Sequence, residues 1–235
     1  MTRSRPARSL PEQLPSDPMH WADAWLKEAV ASAVQRNADA MTLATVDAAH
    51  RPSARIVLCK AFVPEPGFIV IYTNYRSRKG CDLAANPRVA AVFHWDKLGR
   101  QIRIEGIAVR SPEEESDAYF ATRDRGSQLG AWGSDQSMPI GSREALIVQI
   151  GERAADLGVA SDGEPVALAV ARAGKPSAIK RPPHWGGYRI WASTIELWVE
   201  GRDRIHDRAA WRRELIRANE NSFSVTPWSG TRLQP

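Results

Sequence analysis

The chain has 235 residues, of which 43% are hydrophobic and 25% are charged, and this mixture is typical of one globular domain with a substantial core. It excludes a chain that is disordered throughout. No apolar run approaches the roughly 18 residues that a membrane span needs, and the first residues lack the apolar core of a secretory signal. The two cysteines, Cys59 and Cys81, are too few for a disulfide framework or a structural zinc site, which indicates a cytoplasmic protein.

The net charge is +5, and six arginines lie between residues 202 and 217. A basic surface of this kind attracts phosphate groups of any source. No helix-turn-helix, zinc-finger or RNA-binding motif accompanies the arginines, and acidic residues interrupt them, so nucleic acid is not the expected partner. A small phosphorylated ligand explains them equally well. The five histidines show no paired ligand spacing, so we expect no metal site.

Residues 1–18 are expected to form a disordered basic tail, followed by a single domain over residues 19–235. The first element of that domain is an amphipathic helix over residues 21–36, because apolar side chains recur there at three- and four-residue steps. These side chains belong to Trp21, Trp25, Leu26, Ala29, Val30 and Ala33.

Short β-rich runs separated by turn residues follow at 41–46, 53–62, 68–73, 89–95 and 101–110. Strands of this length and spacing predict a largely antiparallel sheet that closes into a barrel. One helix interrupts the strands, with Ser77 as its N-cap and the Asn86-Pro87 pair at its end. The predicted fold is therefore mainly β with flanking helices.

Residues 119–137 are the most informative stretch, and a helix signal lies upstream of them. Ser111 and Glu114 have the spacing of a capping box, and Pro112 suits the first helical position, so we predict a helix over residues 112–123. Helical periodicity returns over residues 142–157. Residues 158–183 have weak periodicity and predict a long loop or a mobile lid. Three further strands are predicted around residues 189–199, 204–211 and 222–228.

Within the 119–137 stretch, Tyr119, Arg123 and Ser127 are spaced at intervals of four, which on a helix places a ring, a cation and a hydroxyl on one face. Because Gly126 is a natural helix stop, we expect Ser127 to lie beyond the end of that helix. A second helix that begins near Ser127 would add free N–H groups. Together these groups would hold a phosphate or a carboxylate. The alternative is a solvated helix face on which Arg123 pairs with a nearby acid.

Two other basic clusters suggest anion binding. Arg78 and Lys79 begin the helix capped by Ser77, where the helix dipole favours a phosphate dianion, unless both charges are simply solvated. Along a strand, Arg204, His206 and Arg208 would share one face and attract an anionic partner. The alternative is an exposed edge strand made basic against aggregation.

A third basic pair, Arg55 and Lys60, poses a geometric problem, since a regular strand would point side chains five residues apart to opposite faces. Either a bulge intervenes, or the segment meets a ligand through one side chain and its backbone. Cys59, between them, is expected to be a small core residue and not a nucleophile.

Taken together, these segments resemble the pyridoxamine 5′-phosphate oxidase family, whose members use FMN to make pyridoxal 5′-phosphate. The resemblance runs from about residue 40 to about residue 213, with several motifs in the family's order. The motifs lie at 41–46 (MTLATV), 51–60 (RPSARIVLCK), 72–80 (YTNYRSRKG), 86–89 (NPRV), 100–106 (RQIRIEG), 119–137, 182–189 (PPHWGGYR) and 204–208 (RIHDR).

The resemblance implies a split β-barrel homodimer with FMN bound at the subunit interface, and it assigns roles to individual residues. It assigns the reacting end of the substrate to a catalytic pair, Arg204 and His206, and the substrate phosphate to Lys60, Tyr119, Arg123 and Ser127. It assigns FMN to Arg55, Ile56, Val57, Leu58, Lys60, Tyr72, Thr73, Arg78, Lys79, Gln101, Gln136, Ser137, Trp198 and Arg208.

The implied activity is oxidation of pyridoxamine or pyridoxine 5′-phosphate, with O2 as the final acceptor. Two features depart from the family's pattern, namely the length of the 158–183 segment and the extended tail over residues 214–235. They keep open a related FMN oxidase of phenazine biosynthesis, although Arg123 and Ser127 favour a phosphorylated substrate. A third hypothesis is a non-catalytic flavin-binding or pyridoxal-phosphate-binding protein, against which Arg204 and His206 argue.

Overall fold

The computed structural model describes residues 9–158 and 179–235. These residues fall into two compact units. The first takes in the described residues up to Ile71, Asp82–Arg110 and Tyr188–Pro235. The second takes in Tyr72–Cys81 and the described part of Ser111–Gly187.

Nine strands form one sheet, in the order β11-β8-β7-β6-β5-β1-β2, with β3 paired to β4 and β4 also paired to β7. Neighbours along the main path run antiparallel. The strands are β1 (Ala40–Val46), β2 (Pro52–Leu58), β3 (Ala61–Val63), β4 (Phe68–Asn74), β5 (Arg88–Trp95), β6 (Arg100–Arg110), β7 (Trp185–Val199), β8 (Asp207–Arg212) and β11 (Ser229–Leu233). A separate hairpin pairs β9 (Leu215–Arg217) with β10 (Phe223–Val225).

Alternating apolar residues build the core of the sheet, as the strand pattern predicted. On β5 and β6, Phe93, Trp95, Ile102 and Ile104 are fully buried, and Leu43 joins them from β1. Each such side chain contributes about 1.5–3 kcal/mol when buried. With the helices described below, the predicted fold class, mainly β with flanking helices, is confirmed.

The helices are α1 (Met19–Ala31), α2 (Arg78–Ala85), α3 (Glu113–Thr122), α4 (Arg125–Gly133) and α5 (Arg143–Asp156). The predicted N-cap Ser77 is confirmed, since its Oγ accepts the Gly80 N–H at 3.3 Å. The predicted end of the first helix at residue 36 is wrong, because Ala33 takes a left-handed conformation with φ of 44°. Val30, expected on the apolar face, is 53% exposed.

The capping box predicted at the start of α3 is wrong. Pro112 is the N-cap, no side chain bonds to the free N–H groups there, and the Ser111 Oγ is buried without a hydrogen-bond partner among the described residues. The Ser111 N–H instead donates to the carbonyl of Gly187. Three glutamates at 113–115 supply the negative charge that favours a helix N-terminus.

The structure also separates the predicted strand at 53–62 into β2 and β3. Between them, the Cys59 N–H donates to the backbone carbonyl of Asp39 and the Lys60 N–H donates to the backbone carbonyl of Val70. The chain therefore stops pairing with β1 and begins to pair with β4. Arg55 and Lys60 therefore do not lie on one regular strand, and the expectation of opposite faces no longer applies.

Residues 9–18, expected to be part of a disordered tail, pack against the C-terminal strands. The N–H of Leu10 donates to the Asp207 carboxylate at 2.7 Å, and the Trp211 indole donates to the carbonyl of Pro15 at 2.8 Å. Leu10 is itself buried. Residues 1–8, and most of the loop expected at 158–183, lie outside the described residues.

Candidate active site

The second unit contains a polar cluster at the N-terminus of α2. The Lys79 ammonium is buried and donates to the Oε1 atom of Gln136 at 2.8 Å and to Ser77 Oγ at 3.0 Å. The Thr73 hydroxyl also reaches Gln136 Oε1, at 3.3 Å. Three residues assigned to FMN, Thr73, Lys79 and Gln136, are thus brought together, and the set joins a cation to the positive end of a helix, as a phosphate requires.

The neighbouring residues of this cluster differ in exposure and conformation. Arg78 is exposed, although it precedes buried Lys79 directly. Ser137 is also exposed and has a φ of 78°, a left-handed conformation that only a well-determined turn holds in a non-glycine residue. Lys79 therefore occupies the interior of the cluster, and Arg78 its surface.

An aromatic stack forms a second part of this unit. The Tyr72 and Tyr119 rings lie parallel with their centroids 3.8 Å apart, and the buried Trp185 ring stacks 5.5 Å from Tyr72. The Arg123 guanidinium carbon lies 4.6 Å from the centre of the Trp185 ring. Tyr119 and Arg123, both assigned to the substrate phosphate, thus meet at Trp185.

Arg123 is the most informative cation of this unit. Its Nη1 atom is buried and has no hydrogen-bond partner among the described residues. Burial lowers the pKa of Arg123 from its usual value, against the opposite influence of Tyr119 and Asp124. A partly buried guanidinium with an unsatisfied donor favours an anionic ligand, which would satisfy the donor and offset the cost of burial.

Ser127 lies beyond the end of the first helix, as expected, so Tyr119, Arg123 and Ser127 are divided between two helices and the turn that joins them. α3 ends at Thr122, Arg123 takes an extended conformation, and α4 begins at Arg125 with Asp124 as its N-cap. The Asp124 carboxylate accepts the Ser127 N–H at 2.8 Å and the Ser127 hydroxyl at 2.6 Å. These two bonds to Ser127 hold the pKa of Asp124 below its usual value. The N–H expected to be free is therefore capped.

In the first unit, Arg55 is anchored within the sheet. Its Nη1 donates to the carbonyl of Leu43 at 3.0 Å and to the Thr45 hydroxyl at 2.8 Å, and its Nη2 lies 3.6 Å from the Asp82 carboxylate. Asp82 is buried and also accepts the Thr45 hydroxyl. Of the other residues assigned here, Ile56 is 66% exposed, and Val57 and Leu58 are half-buried. Lys60 instead pairs with Asp39 at 3.0 Å.

Strand register brings three further assigned residues side by side. Gln101 on β6 pairs with Trp198 on β7, and Trp198 pairs with Arg208 on β8. The Arg208 guanidinium bonds to the buried carboxylate of Glu196, with the Nε atom 3.0 Å from Oε1. Arg103 bonds to the second oxygen of Glu196 at 2.9 Å.

The prediction that Arg204, His206 and Arg208 share a strand face is wrong. Arg202–Arg204 form a 3₁₀ turn in which Asp203 and Arg204 have φ of 56° and 65°, and β8 begins only at Asp207. Arg204 is exposed. His206 is half-buried, its ring lies 4.6 Å from that of Trp198, and its Nδ1 accepts the Gly201 N–H at 3.2 Å.

Four structurally important residues received no role from the sequence, namely Asp82, Asp124, Trp185 and Glu196. Trp185 lay within a recognised motif and could have been found there. The position of Asp124 before a helix start was a readable N-cap signal. The roles of Asp82 and Glu196 depend on tertiary contacts, which sequence spacing does not encode.

In the described parts of the chain, no group of three or more His, Cys, Asp or Glu side chains could hold a metal ion. Over those same ranges, no helix is long and apolar enough to cross a membrane.

The fold and these clusters define a mainly β protein in which a buried lysine at a helix N-terminus and a partly buried arginine beside stacked aromatic rings are candidate anion ligands. Family comparison agrees. Residues 26–155 match the model of the pyridoxamine 5′-phosphate oxidase family, and residues 185–235 match the model of the pyridoxine 5′-phosphate oxidase C-terminal dimerisation region. The chain belongs to the pyridoxamine 5′-phosphate oxidase family.

Individual proteins support this membership. The chain is 46% identical over 219 residues to a pyridoxine/pyridoxamine 5′-phosphate oxidase of Rubrobacter xylanophilus, covering 93% of this chain and 87% of that protein. It is 46% identical over 213 residues to the Burkholderia thailandensis protein of the same name, covering 91% and 86%. A similar solved structure is PhzG from Burkholderia lata 383 in complex with tetrahydrophenazine-1-carboxylic acid, with a TM-score of 0.75, 28% identity and coverage of 97% of this chain and 100% of that one.

Proposed function

We propose that the protein is an FMN-dependent oxidase that converts pyridoxamine 5′-phosphate or pyridoxine 5′-phosphate to pyridoxal 5′-phosphate with O2 as acceptor. The observation that carries the substrate class is the buried Nη1 of Arg123, which lies beside Tyr119 and Trp185 and has no hydrogen-bond partner within residues 9–158 and 179–235. The names of the relatives that are 46% identical point to the same reaction.

The residues present suit FMN. Lys79, Gln136 and the Ser77-capped start of α2 offer the charge and the donors that a cofactor phosphate needs. The remaining contacts of the cofactor are proposed from Arg55, Ile56, Val57, Leu58, Lys60, Tyr72, Thr73, Arg78, Gln101, Ser137, Trp198 and Arg208. When bound, FMN supplies the hydride acceptor that O2 reoxidises.

The protein's part in the reaction is binding and orientation. Arg123, supported on the Trp185 ring, would hold the substrate phosphate together with Tyr119 and Lys60, whereas Asp124 accepts both hydrogen bonds that Ser127, also assigned to the phosphate, can donate. Arg204 and His206 would orient the reacting carbon of the substrate. Because the Nδ1 of His206 accepts the Gly201 N–H, a neutral His206 carries its proton on Nε2, where it can donate to the substrate. Misplacement of a reacting group by a fraction of an ångström is costly in rate.

The experiment is an oxygen-consumption and peroxide assay of the purified protein with pyridoxamine and pyridoxine 5′-phosphates. A yellow protein that forms peroxide and pyridoxal 5′-phosphate supports the proposal. A yellow protein that releases no product from either substrate contradicts it.

A second candidate is a related oxidase acting on a phenazine precursor, for which two observations speak. The PhzG structure covers nearly all of this chain, and Asp124 occupies both donors of Ser127 that a substrate phosphate would use. Peroxide formation with a dihydrophenazine carboxylic acid, and none with the phosphorylated vitamers, would favour this candidate.

We also propose a homodimer, supported by the match of residues 185–235 to a dimerisation region. Light scattering of the FMN-loaded protein should give twice the mass of one chain, and a monomer mass would contradict the proposal. The cytoplasmic location stays a prediction.

A further inference from the structure

The loop between α3 and α4 places an acidic residue within the proposed phosphate site. Asp124 follows Arg123 directly, and both of its carboxylate oxygens bond to Ser127, one to the N–H and one to the hydroxyl. A backbone N–H and a serine hydroxyl each have one proton to donate. While Asp124 holds both protons, Ser127 has none left for a ligand.

Charge adds to this competition. Asp124 is exposed, and the hydrogen bonds from Ser127 hold the pKa of its carboxyl below its usual value, which favours the ionised form at neutral pH. A phosphate approaching Arg123 therefore meets a fixed negative charge one residue away, and like charges at short range disfavour each other. Among the ion pairs of the part of the chain that the structure describes, none joins the Arg123 guanidinium to Asp124 within 4.0 Å.

We propose that Asp124 is a specificity-determining residue, which lowers the preference of this site for phosphorylated over unphosphorylated substrates by withholding Ser127 from the phosphate. The proposal rests on the proposed function. It is consistent with Tyr119 and Arg123 as the principal phosphate ligands, since the Tyr119 ring stacks on Tyr72 and the Arg123 guanidinium lies over the Trp185 ring.

The test compares D124N with wild type. Asparagine is as good an N-cap as aspartate, so α4 should keep its start. In D124N the amide oxygen can still accept the Ser127 N–H, but the negative charge is removed. Since the NH2 group of an amide cannot accept a hydrogen bond, the Ser127 hydroxyl becomes available to a ligand. A matched control is E114Q, which removes one exposed negative charge from the first turn of α3 in the same unit.

Binding is measured by calorimetry on FMN-loaded protein whose flavin has been reduced in advance under argon, so that no turnover occurs. The probes are pyridoxine 5′-phosphate and unphosphorylated pyridoxine, and the ratio of their Kd values isolates the contribution of the phosphate. We expect D124N to raise the Kd of pyridoxine divided by the Kd of pyridoxine 5′-phosphate roughly fivefold, which corresponds to one net hydrogen bond. E114Q should leave this ratio unchanged.

A double-mutant cycle with S127A shows whether D124N acts by making the Ser127 donors available to the phosphate or only by removing a negative charge. S127A should change the Kd of pyridoxine 5′-phosphate little in the wild-type background and several-fold in the D124N background. Equal losses in both backgrounds, or an unchanged ratio in D124N, would overturn the role of Asp124 while leaving the proposed function intact. If wild type and D124N both fail to bind pyridoxine 5′-phosphate, the proposed function and this inference fall together.

Discussion

Glu196 holds Arg208 in place across the β7–β8 pair, with both the Nε and Nη2 atoms of the arginine within about 3 Å of one carboxylate oxygen. The second oxygen takes Arg103. The carboxylate is buried, so its charge depends on these two cations. If Arg208 contacts the flavin, as proposed, Glu196 sets its orientation.

We therefore expect E196Q to weaken FMN binding, by roughly 1–3 kcal/mol, because an amide cannot hold two guanidinium groups. Equilibrium dialysis of FMN against apoprotein gives the Kd. The matched control is E105Q, since Glu105 also pairs with Arg103 but does not contact Arg208. Thermal unfolding of both apoproteins reports any loss of fold. Equal FMN affinities in the two variants would show that Glu196 serves only the sheet.

Lys79 and Arg78 are adjacent cations with different surroundings, which allows a direct comparison. Lys79 is buried against Gln136 and Ser77, whereas Arg78 is exposed. K79M should therefore reduce FMN content of the purified protein much more than R78M, because a charge in solvent is screened. R78E, which places an anion beside the cofactor phosphate, should reduce it further than R78M. If K79M protein is purified yellow and with its full FMN content, the cluster of Lys79, Ser77 and Gln136 does not bind the cofactor.

Arg123 should act on substrate binding and not on the cofactor. R123A is expected to raise KM for pyridoxine 5′-phosphate by the equivalent of about 1–3 kcal/mol, from the loss of a charge-assisted hydrogen bond, with FMN content unchanged. Steady-state kinetics at several concentrations of pyridoxine 5′-phosphate give KM. If KM does not move, the phosphorylated substrate is the wrong assignment and the phenazine candidate gains.

The two cysteines should differ in reactivity. Burial raises the pKa of Cys59 to about 12, so at mildly alkaline pH Cys59 stays a protonated thiol, which is a poor nucleophile. Cys81, by contrast, is exposed. Native protein treated with iodoacetamide should be alkylated at Cys81 and not at Cys59, and denatured protein at both. Peptide mass spectrometry reads the sites. Rapid alkylation of Cys59 in native protein would contradict its place in the core.

The sequence predicted most strands because alternation of apolar residues is a local signal, and β1, β4, β5 and β6 each lie within one residue of the predicted bounds. Sequence-based prediction was wrong where the structure depends on contacts that a local pattern does not contain, and where a turn signal was missed. Arg204 was placed on a strand, but its positive φ belongs to a turn, of which Gly201 and Asp203 were the local signals.

The same limit applied within the candidate site. Gly126 indicated that Ser127 lies beyond the first helix, but the N-cap at Asp124, which accepts both hydrogen bonds that Ser127 donates, was not predicted. The cluster of Lys79 with Gln136 was assigned through the resemblance alone, because the two residues are 57 positions apart and no spacing rule connects them.

The most direct test of the central claim is anaerobic reduction of the flavin by substrate. FMN-loaded wild-type protein mixed with pyridoxamine 5′-phosphate under argon in a stopped-flow instrument should lose its visible flavin absorption, and admitting O2 should restore it with formation of peroxide. R204A should retain its FMN but be reduced much more slowly, because orientation of the reacting carbon is lost. Flavin that stays oxidised in the wild-type protein with every phosphorylated vitamer, or reduction of R204A at the wild-type rate, would contradict the account.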